Sequence, residues 1–329
     1  MIWWVTGGSG FIGTNVVSHL LASGHEVVVV DDLSRSGSEL NAAFLEEVRG
    51  VQVVRADISH EATWDSLGRN YPIPDAIAHL AGQVSLLASI EDPRRDFEVN
   101  ALGTLNALEF VRKQAPGAAL IGMSSNKAYG DLGSVRIIEE STRYTAPDFP
   151  QGFDESLPLD FHGPYGCSKG TADQYFVDYG RIYGLRTISL RQSSVYGPHQ
   201  HPRSDQGWVA FLIEQAKSGN PISLNGIGKQ VRDLLHATDL ARLIEKLGQG
   251  LPAGGHAVNV GGGIDNSLSI LELFSWIEQT HGVEVKFKTG EPRPSDQLVF
   301  VSDNTRVRSL VSWSPQVGVA EGLEGVWNG

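Results

Sequence analysis

A glycine-rich turn near the start of the chain limits the possible folds more than any other feature. Residues 6–13 read TGGSGFIG and lie between a short apolar run and a helical pattern. Gly7 allows a tight turn, Gly10 lets the backbone approach a pyrophosphate, and Gly13 permits close packing of the helix. The three glycines alone fit a plain turn equally well. Their position between a strand and a helix favours a dinucleotide site, with phosphate at the helix N-terminus.

Short apolar runs alternate with helical patterns along the first 200 residues or so. Such runs are typical of parallel strands that are buried on both faces, and the helices between them are long enough to cross over the sheet. We therefore predict an α/β protein with a Rossmann-type doubly wound parallel sheet. The runs lie at 2–6, 27–30, 51–54, 76–80, 119–123 and 187–191, and the clearest helical patterns at 11–23, 96–114 and 168–183.

The end of the second apolar run carries a charge that discriminates between cofactors. Asp31 stands 18 residues after Gly13. A carboxylate at this place accepts hydrogen bonds from both ribose hydroxyls of the adenosine half and repels a 2'-phosphate, so it favours NAD over NADP. Asp32 fits a loop N-cap as well as a ligand, and Arg35 would offset the added negative charge.

The pattern becomes shorter and more mixed after residue 197, which predicts a second domain. We expect an NAD-binding Rossmann domain over 1–197. One further strand and helix, within 230–260, are expected to return to its sheet. The remaining segments, 198–229 and 261–329, then form a smaller mixed α/β domain that binds substrate.

Composition excludes several classes of protein. The chain has 329 residues, of which 41% are hydrophobic and 19% charged, as in a packed globular enzyme. A formal net charge of -12 disfavours binding of nucleic acid or anionic lipid. Cys167 is the one cysteine, which permits a reducing cytoplasm. No HExxH motif or close His/Asp spacing indicates a metal, and no apolar stretch approaches the roughly 20 residues of a membrane span.

A tyrosine and a lysine at helical spacing are the first candidates for catalysis. Tyr165 and Lys169 are four residues apart and share one face of a predicted helix. A phenol titrates at about 10 in water, so it acts as a base at neutral pH only if cations lower its pKa. The Lys169 ammonium and an oxidised nicotinamide would both do so. Ser125, at the end of the fifth run, is placed to share the substrate proton, whereas Ser124 is interpreted as structural.

Six stretches resemble the extended short-chain dehydrogenase/reductases that modify nucleotide sugars, and the resemblance covers essentially the whole chain. Within that family, NKAYGDL, SDQGWVAF and the long stretch FDESLPLDFHGPYGCSKGTADQYFVDYGRIYGL look like members that invert C2 of a CDP-linked sugar. The six family stretches are TGGSGFIG, HLAGQ at 79–83, NALGT at 100–104, SSNKAYG at 124–130, YGCSK at 165–169 and GKQVRDLLHATD at 228–239.

The resemblance implies roles for individual residues. Tyr165 is the base, Lys169 holds the ribose and lowers the tyrosine pKa, and Ser125 assists them, while Asn100 is a buried structural asparagine. The implied cofactor contacts are Gly7, Gly10, Phe11, Ile12, Gly13, Asp31, Asp32, Arg35, Asp57, Ile58, Leu80, Ala81, Gln83, Tyr165 and Lys169. For Asp57 and Ile58 a plain turn is an equally good interpretation.

The resemblance also implies a site for the sugar nucleotide. Arg232 and Arg293 fit the two diphosphate-binding arginines of the family, since guanidinium groups donate to phosphates in pairs. Ser194 stands where many relatives have an asparagine that contacts the sugar nucleotide. The implied substrate contacts are Gln83, Asn126, Ser194, Gln206, Trp208, Arg232 and Arg293.

The expected activity is an NAD-dependent inversion of C2 in a CDP-linked hexose or deoxyhexose, through a transient keto-sugar. Positions 126–127 read Asn-Lys rather than the Asp-Glu pair of sugar dehydratases, which disfavours elimination. A 4-epimerase of a UDP- or GDP-hexose keeps every shared motif and is the alternative. A non-catalytic NAD-binding sensor is a third reading, although it has no need for Ser125, Tyr165 and Lys169 together.

The expected partner is a nucleotide-diphosphate sugar, with CDP as the favoured nucleotide. We expect a cytoplasmic protein that binds neither nucleic acid nor membranes and holds no metal. We also expect a homodimer, because helices at 96–114 and 168–183 carry apolar faces, and the equivalent helices of the family pair across a two-fold axis. The alternative is that both faces only cover the sheet.

Overall fold

Fifteen strands are found in the part of the chain that the structure describes. The computed structural model describes residues 1–201, 203, 207–292 and 296–329. The strands are β1 (Ile2–Thr6), β2 (Glu26–Asp31), β3 (Val53–Arg55), β4 (Ala76–His79), β5 (Ala119–Ser125), β6 (Ile138–Glu139), β7 (Tyr144–Thr145), β8 (Arg186–Gln192), β9 (Ser194–Tyr196), β10 (Ile222–Ser223), β11 (Val231–His236), β12 (Gly254–Val260), β13 (Ser267–Ser269), β14 (Phe287–Lys288) and β15 (Val299–Phe300).

Twelve α-helices of the described residues connect and flank these strands. They are α1 (Phe11–Ala22), α2 (Ser38–Arg49), α3 (Glu61–Asn70), α4 (Leu86–Glu91), α5 (Pro93–Phe97), α6 (Gly103–Gln114), α7 (Gly163–Tyr183), α8 (Trp208–Lys217), α9 (Ala237–Gly250), α10 (Ile270–His281), α11 (Thr305–Val311) and α12 (Val319–Asn328). None of the described helices is long and apolar enough to cross a membrane.

Seven parallel strands form the large sheet, in the order β12-β8-β5-β4-β1-β2-β3. The predicted Rossmann-type doubly wound sheet is therefore confirmed. β1 pairs with β2 on one side and with β4 on the other, so the strand order reverses there. Ligands of such sheets bind outside the carboxyl ends of the strands at this switch point.

The sequence of β1 explains why the large sheet is buried on both faces. Trp3 and Val5 point into one hydrophobic core, where α1 and α9 pack. Trp4 points to the other face and stacks on Phe110 of α6, with ring centroids 4.9 Å apart. Alternate residues of one strand thus fill two cores, and neither indole lies in water.

A second, smaller sheet joins β9, β11, β13 and β15. The stretch 230–260, expected to return to the large sheet, divides between the two: β12 pairs with β8, whereas β11 pairs with β9, β13 and β15. Which strands pair depends on which strands are neighbours in space, and the local sequence pattern carries no information about that.

The helix predicted over 96–114 is not one regular α-helix. It begins at Pro93, passes through a π-helical turn at Glu98–Leu102 and continues as α6. The amide of Asn100, within that turn, donates to Asp96 (3.1 Å) and to the hydroxyl of Ser168 (3.0 Å). π turns inserted into helices are frequent at functional sites, and this one lies beside the predicted catalytic helix α7.

Candidate active site

A cavity of about 640 Å³ lies at the carboxyl ends of β1, β2, β4 and β5. Its walls bring together residues predicted for cofactor, substrate and catalysis. The predicted residues that line it are Gly7, Gly10, Phe11, Ile12, Gly13, Asp31, Asp32, Arg35, Asp57, Ile58, Leu80, Ala81, Gln83, Ser125, Tyr165, Ser194 and Trp208.

The glycine turn has the shape that a pyrophosphate requires. Gly7 has φ +67°, and a Cβ on it would lie 2.5 Å from the backbone nitrogen of Ala81. A Cβ on Gly13 would overlap the backbone of the turn, whereas one on Gly10 would meet only the carbonyl oxygen of Gly7, at 3.2 Å. No side chain among the described residues caps α1. The first N–H groups of this helix are thus left to bind an anion, and the residues present fit NAD.

Asp31 is held beside the glycine turn. Its carboxylate accepts hydrogen bonds from the backbone nitrogens of Ser9 and Leu33, both at 2.9 Å. Burial raises the pKa of Asp31, although these hydrogen bonds oppose the rise. Asp31 lines the cavity at the end of β2, where a carboxylate could accept hydrogen bonds from a ribose and would repel a 2'-phosphate.

Arg95, which the sequence did not single out, connects two of the predicted cofactor residues. Its guanidinium donates to Asp57 at 2.7 Å and to Asp32 at 3.4 Å, and it also reaches the hydroxyl of Ser59. Burial opposes ionisation of Asp57, but hydrogen bonds from Ser59 and Arg95 outweigh it and lower the pKa. A run of two arginines at the start of α5 carries no local signal for this role.

The structure brings Tyr165, Ser125 and Lys169 together. The Tyr165 hydroxyl is hydrogen-bonded to Ser125, and burial nevertheless raises the pKa of the phenol to about 12. One turn further along α7, the Nζ atom of Lys169 donates to the carbonyl of Met123 at 3.2 Å. Burial lowers the pKa of Lys169 to about 8, although the charge of Asp96 opposes this.

The expectation that Lys169 lowers the phenol pKa is not met in the protein alone. Desolvation outweighs every other influence on Tyr165, and Asp96 adds a repelling negative charge. Lys169 is itself desolvated and pairs with a backbone carbonyl. A tyrosinate base here depends on a charge that arrives with the ligands.

Lys169 lies beside a buried polar cluster formed by Asp96 and Asn100. Asp96 is 1% exposed and Asn100 2%. Within the described residues, one oxygen of Asp96 and the side-chain oxygen of Asn100 have no hydrogen-bond partner. A Cβ on Gly82 would lie 2.8 Å from Lys169 Nζ and 3.0 Å from that asparagine oxygen. A residue without a side chain therefore leaves room for both atoms at this position. Asp96 was not predicted, because its environment is made by the π turn.

Two of the predicted substrate residues meet at the far wall of the cavity. The indole nitrogen of Trp208 donates to the hydroxyl of Ser194 at 3.2 Å. The amide of Gln83 folds back onto the backbone of Ser85, which fixes the loop that follows β4. Trp208 opens α8 and Ser194 opens β9, so this wall is formed by two segments that follow the large-sheet strand β8.

Two other predicted substrate residues, Asn126 and Arg232, lie away from the cavity. Asn126 does not line the cavity: its amide donates to Gln297 at 2.8 Å, and its oxygen accepts from Ser125 at 3.2 Å. Arg232 does not line it either and pairs with Asp296 at 3.0 Å, an aspartate that also binds Lys127 at 3.1 Å. Gln206 and Arg293 lie outside the described residues. Among the residues that are described, no group of His, Cys, Asp or Glu side chains suits a metal ion.

Fold and site define an enzyme that uses a dinucleotide to oxidise and reduce a bound hydroxyl. A family model described as the NAD dependent epimerase/dehydratase family matches residues 3–261. The chain belongs to this family, and its cofactor is NAD.

Named relatives agree with the family. The chain is 44% identical to the CDP-paratose 2-epimerase of Salmonella typhi, over 98% of this chain and 97% of that one. It is 33% identical to a UDP-glucose 4-epimerase of Mycolicibacterium smegmatis, over 97% and 95% of the two chains. The crystal structure of Thermus thermophilus UDP-glucose 4-epimerase with NAD covers 100% of this chain and 98% of its own, with a TM-score of 0.81 and 31% identity.

Proposed function

We propose that this protein is an NAD-dependent epimerase that inverts C2 of a CDP-linked hexose or deoxyhexose through a transient keto-sugar. The observation that carries the proposal is the 44% identity to a CDP-paratose 2-epimerase over nearly the full length of both chains. The 4-epimerase relatives are more distant, at 33% identity and below. Ser125 and Tyr165 line one cavity, and Lys169 lies one turn further along α7, which supports the same chemistry.

The proposed mechanism begins with the acidity of the substrate. An isolated carbinol at C2 has no acidic C–H, so its inversion needs an activating oxidation, and bound NAD supplies reversible hydride acceptance. Tyr165 takes the proton of the substrate hydroxyl and holds it while the keto-sugar turns its opposite face toward the cofactor. It returns the proton when the carbonyl is reduced, so that C2 is inverted. Ser125, already hydrogen-bonded to Tyr165, donates to the same substrate oxygen. Lys169 in its charged form stabilises the tyrosinate.

The roles of the cavity walls follow from their chemistry. We assign the N-terminus of α1 to the pyrophosphate of the cofactor and Asp31 to its adenosine ribose. The wall formed by Ser194 and Trp208 is assigned to the nucleotide sugar. Arg232 is assigned to the substrate diphosphate, which has to compete with Asp296 for its guanidinium.

Substrate panels test the proposal directly. CDP-, UDP- and GDP-hexoses are incubated with the enzyme in deuterated water, and products are followed by NMR. We expect inversion at C2 of a CDP-sugar. In a separate incubation in ordinary water, a C2-deuterated substrate is expected to keep its label because the same hydrogen is returned to carbon. Loss of that label to water would overturn the direct C2 mechanism. Inversion only at C4 would establish the 4-epimerase alternative, and NAD binding without any turnover would establish a sensor.

A homodimer is also proposed. Exposed apolar side chains occur on α4, on α5 and on the C-terminal half of α7, and both α4 and α5 pack against α7. Ile90 is 66% exposed, Phe97 53% and Ile182 60%. Pairing of these helices across a two-fold axis would remove this surface from water. Sedimentation at micromolar concentration is expected to show a dimer, and a monomer would overturn the assignment. We place the enzyme in the cytoplasm.

A further inference from the structure

One part of the cofactor cavity is lined by a segment far along the chain from the glycine turn. Residues 198–201, called the strap below, contribute His199, Gln200 and His201 to the cavity wall. Gly10 and Ser38, where α1 and α2 begin, line the same cavity. The strap contacts both helices, and it therefore spans the part of the cavity assigned to the phosphates and the adenosine ribose.

Two buried asparagines fasten the strap. Asn15 of α1 donates to the carbonyl of Pro198 at 2.8 Å. Asn41 of α2 is 4% exposed and donates to the carbonyls of Ser9 (3.1 Å) and His199 (3.3 Å). Its side-chain oxygen meets the ring nitrogen of His201 at 3.1 Å. One amide thus joins the glycine turn to the strap, across the cavity.

Ring contacts hold the strap in a conformation that is otherwise disfavoured. His199 has φ +63°, in the left-handed region, and its ring centroid lies 4.4 Å from that of Phe44. His201 packs on Gly37, where a Cβ would lie 2.5 Å from the imidazole. A non-glycine residue in this region is strained, so the contacts that hold it there indicate a defined position of the strap.

We propose that Asn41 is a positioning residue that retains NAD, because it ties the strap across the cavity and makes cofactor release depend on opening of the strap. The inference rests on the proposed placement of NAD in this cavity. An epimerase ends each cycle with its cofactor in the starting oxidation state, so slow release does not limit turnover. A strap fixed by several hydrogen bonds therefore suits such an enzyme. It would suit less well an enzyme that exchanges its cofactor in every cycle.

The test measures exchange of bound NAD against isotopically labelled NAD in the full-length holoenzyme. Asn41→Leu keeps most of the side-chain volume but removes the three contacts. With each hydrogen bond contributing about fivefold, we expect exchange at least about tenfold faster than in the unmodified protein. Gel filtration should then strip NAD from the variant, and added NAD should restore activity.

Asn304→Leu is the matched control. Asn304 is also buried, at 6% exposure, and exchanges two hydrogen bonds with the backbone of Gly261, away from this cavity. Its replacement should leave NAD exchange unchanged. Equal acceleration in Asn304→Leu and Asn41→Leu would show general loosening of the fold and overturn the proposal.

His201→Ala provides a variant at an exposed position, whose folding is not at risk if Asn41→Leu fails to fold. It removes the ring contact with Gly37 and one contact of Asn41, and we expect exchange about threefold to tenfold faster. If the folded variants exchange bound NAD at the same rate as the unmodified protein, the proposed role of the strap is overturned and the cofactor site is not. Absence of NAD binding by the unmodified protein would overturn the cofactor site as well.

Discussion

Two cations, Lys169 and Arg191, are buried to nearly the same degree, with exposures of 6% and 5%. Arg191 donates to both oxygens of Asp173, at 3.1 and 2.7 Å, and to the hydroxyl of Tyr129 at 2.9 Å. Lys169 donates to one backbone carbonyl, at 3.2 Å. Its nearest opposing charge, Asp96, keeps one oxygen without a hydrogen-bond partner within the described structure.

The two cations therefore respond differently to burial. Burial alone lowers the pKa of either cation, but Asp173 reverses the shift for Arg191 and raises its pKa. For Lys169 the effect of burial persists, and the pKa falls to about 8. Asp173 lies one turn after Lys169 on the same helix, so the difference comes from the partners and not from the helix. Removing one partner of a completely paired buried charge destabilises the fold, whereas a buried charge with incomplete pairing is available to a ligand.

The largest effect is expected on turnover, when Tyr165, the neighbour of Lys169 on α7, is replaced. Tyr165→Phe removes the proton acceptor and little volume, so turnover should fall by about 10²- to 10⁴-fold. Urea unfolding should change by only about 1 kcal/mol, the contribution of the lost hydrogen bond to Ser125. Tyr196→Phe, at another buried tyrosine, should keep turnover within about twofold. Near-normal activity of Tyr165→Phe would contradict the mechanism.

Arg191→Met should act on stability instead. It leaves Asp173 buried without its partner, which typically costs about 3–5 kcal/mol. Urea denaturation measures this loss, and the double variant Arg191→Met/Asp173→Leu should recover much of it because no buried charge remains. A single variant as stable as the unmodified protein would show that this pair is not structural.

The smallest effect concerns the pH dependence of stability. Between pH 8 and about 10 the unfolded chain keeps the Lys169 proton and the folded protein releases it, because burial lowers the folded pKa from 10.5 to about 8. The free energy of unfolding should therefore gain a contribution that rises with pH, by at most about 1.4 kcal/mol per pH unit. Lys169→Met should lack this rise in urea titrations at pH 7.5, 8.5 and 9.5.

Lys217→Met, at an exposed lysine, is the control for that measurement and should keep the rise. Tyr165 does not interfere in this window, since its pKa is raised to about 12 and its effect, of opposite sign, appears above pH 10. Identical pH profiles for Lys169→Met and the unmodified protein would show that the Lys169 ammonium is not destabilised by burial.

The sequence by itself determined the elements whose meaning is local. The glycine turn is a backbone requirement within eight residues, and Tyr165 and Lys169 share a helix face through their spacing alone. The alternation of apolar runs and helices predicted the doubly wound sheet, because parallel strands buried on both faces are typically continuous apolar runs. These features predict where a dinucleotide binds and which side chains lie beside it.

Only the tertiary structure decided the partners of those groups. The charge of Asp96 acts on Lys169 although the two residues lie on different helices, and Asn126 meets Gln297 across 171 positions of sequence. Asn41 reaches the strap 158 residues away. Such contacts depend on how helices and loops pack in space, and a side chain carries the same local pattern whether its partner is water, a carboxylate or a ligand. The charge of a buried residue is set by those partners, so its role cannot be derived from spacing.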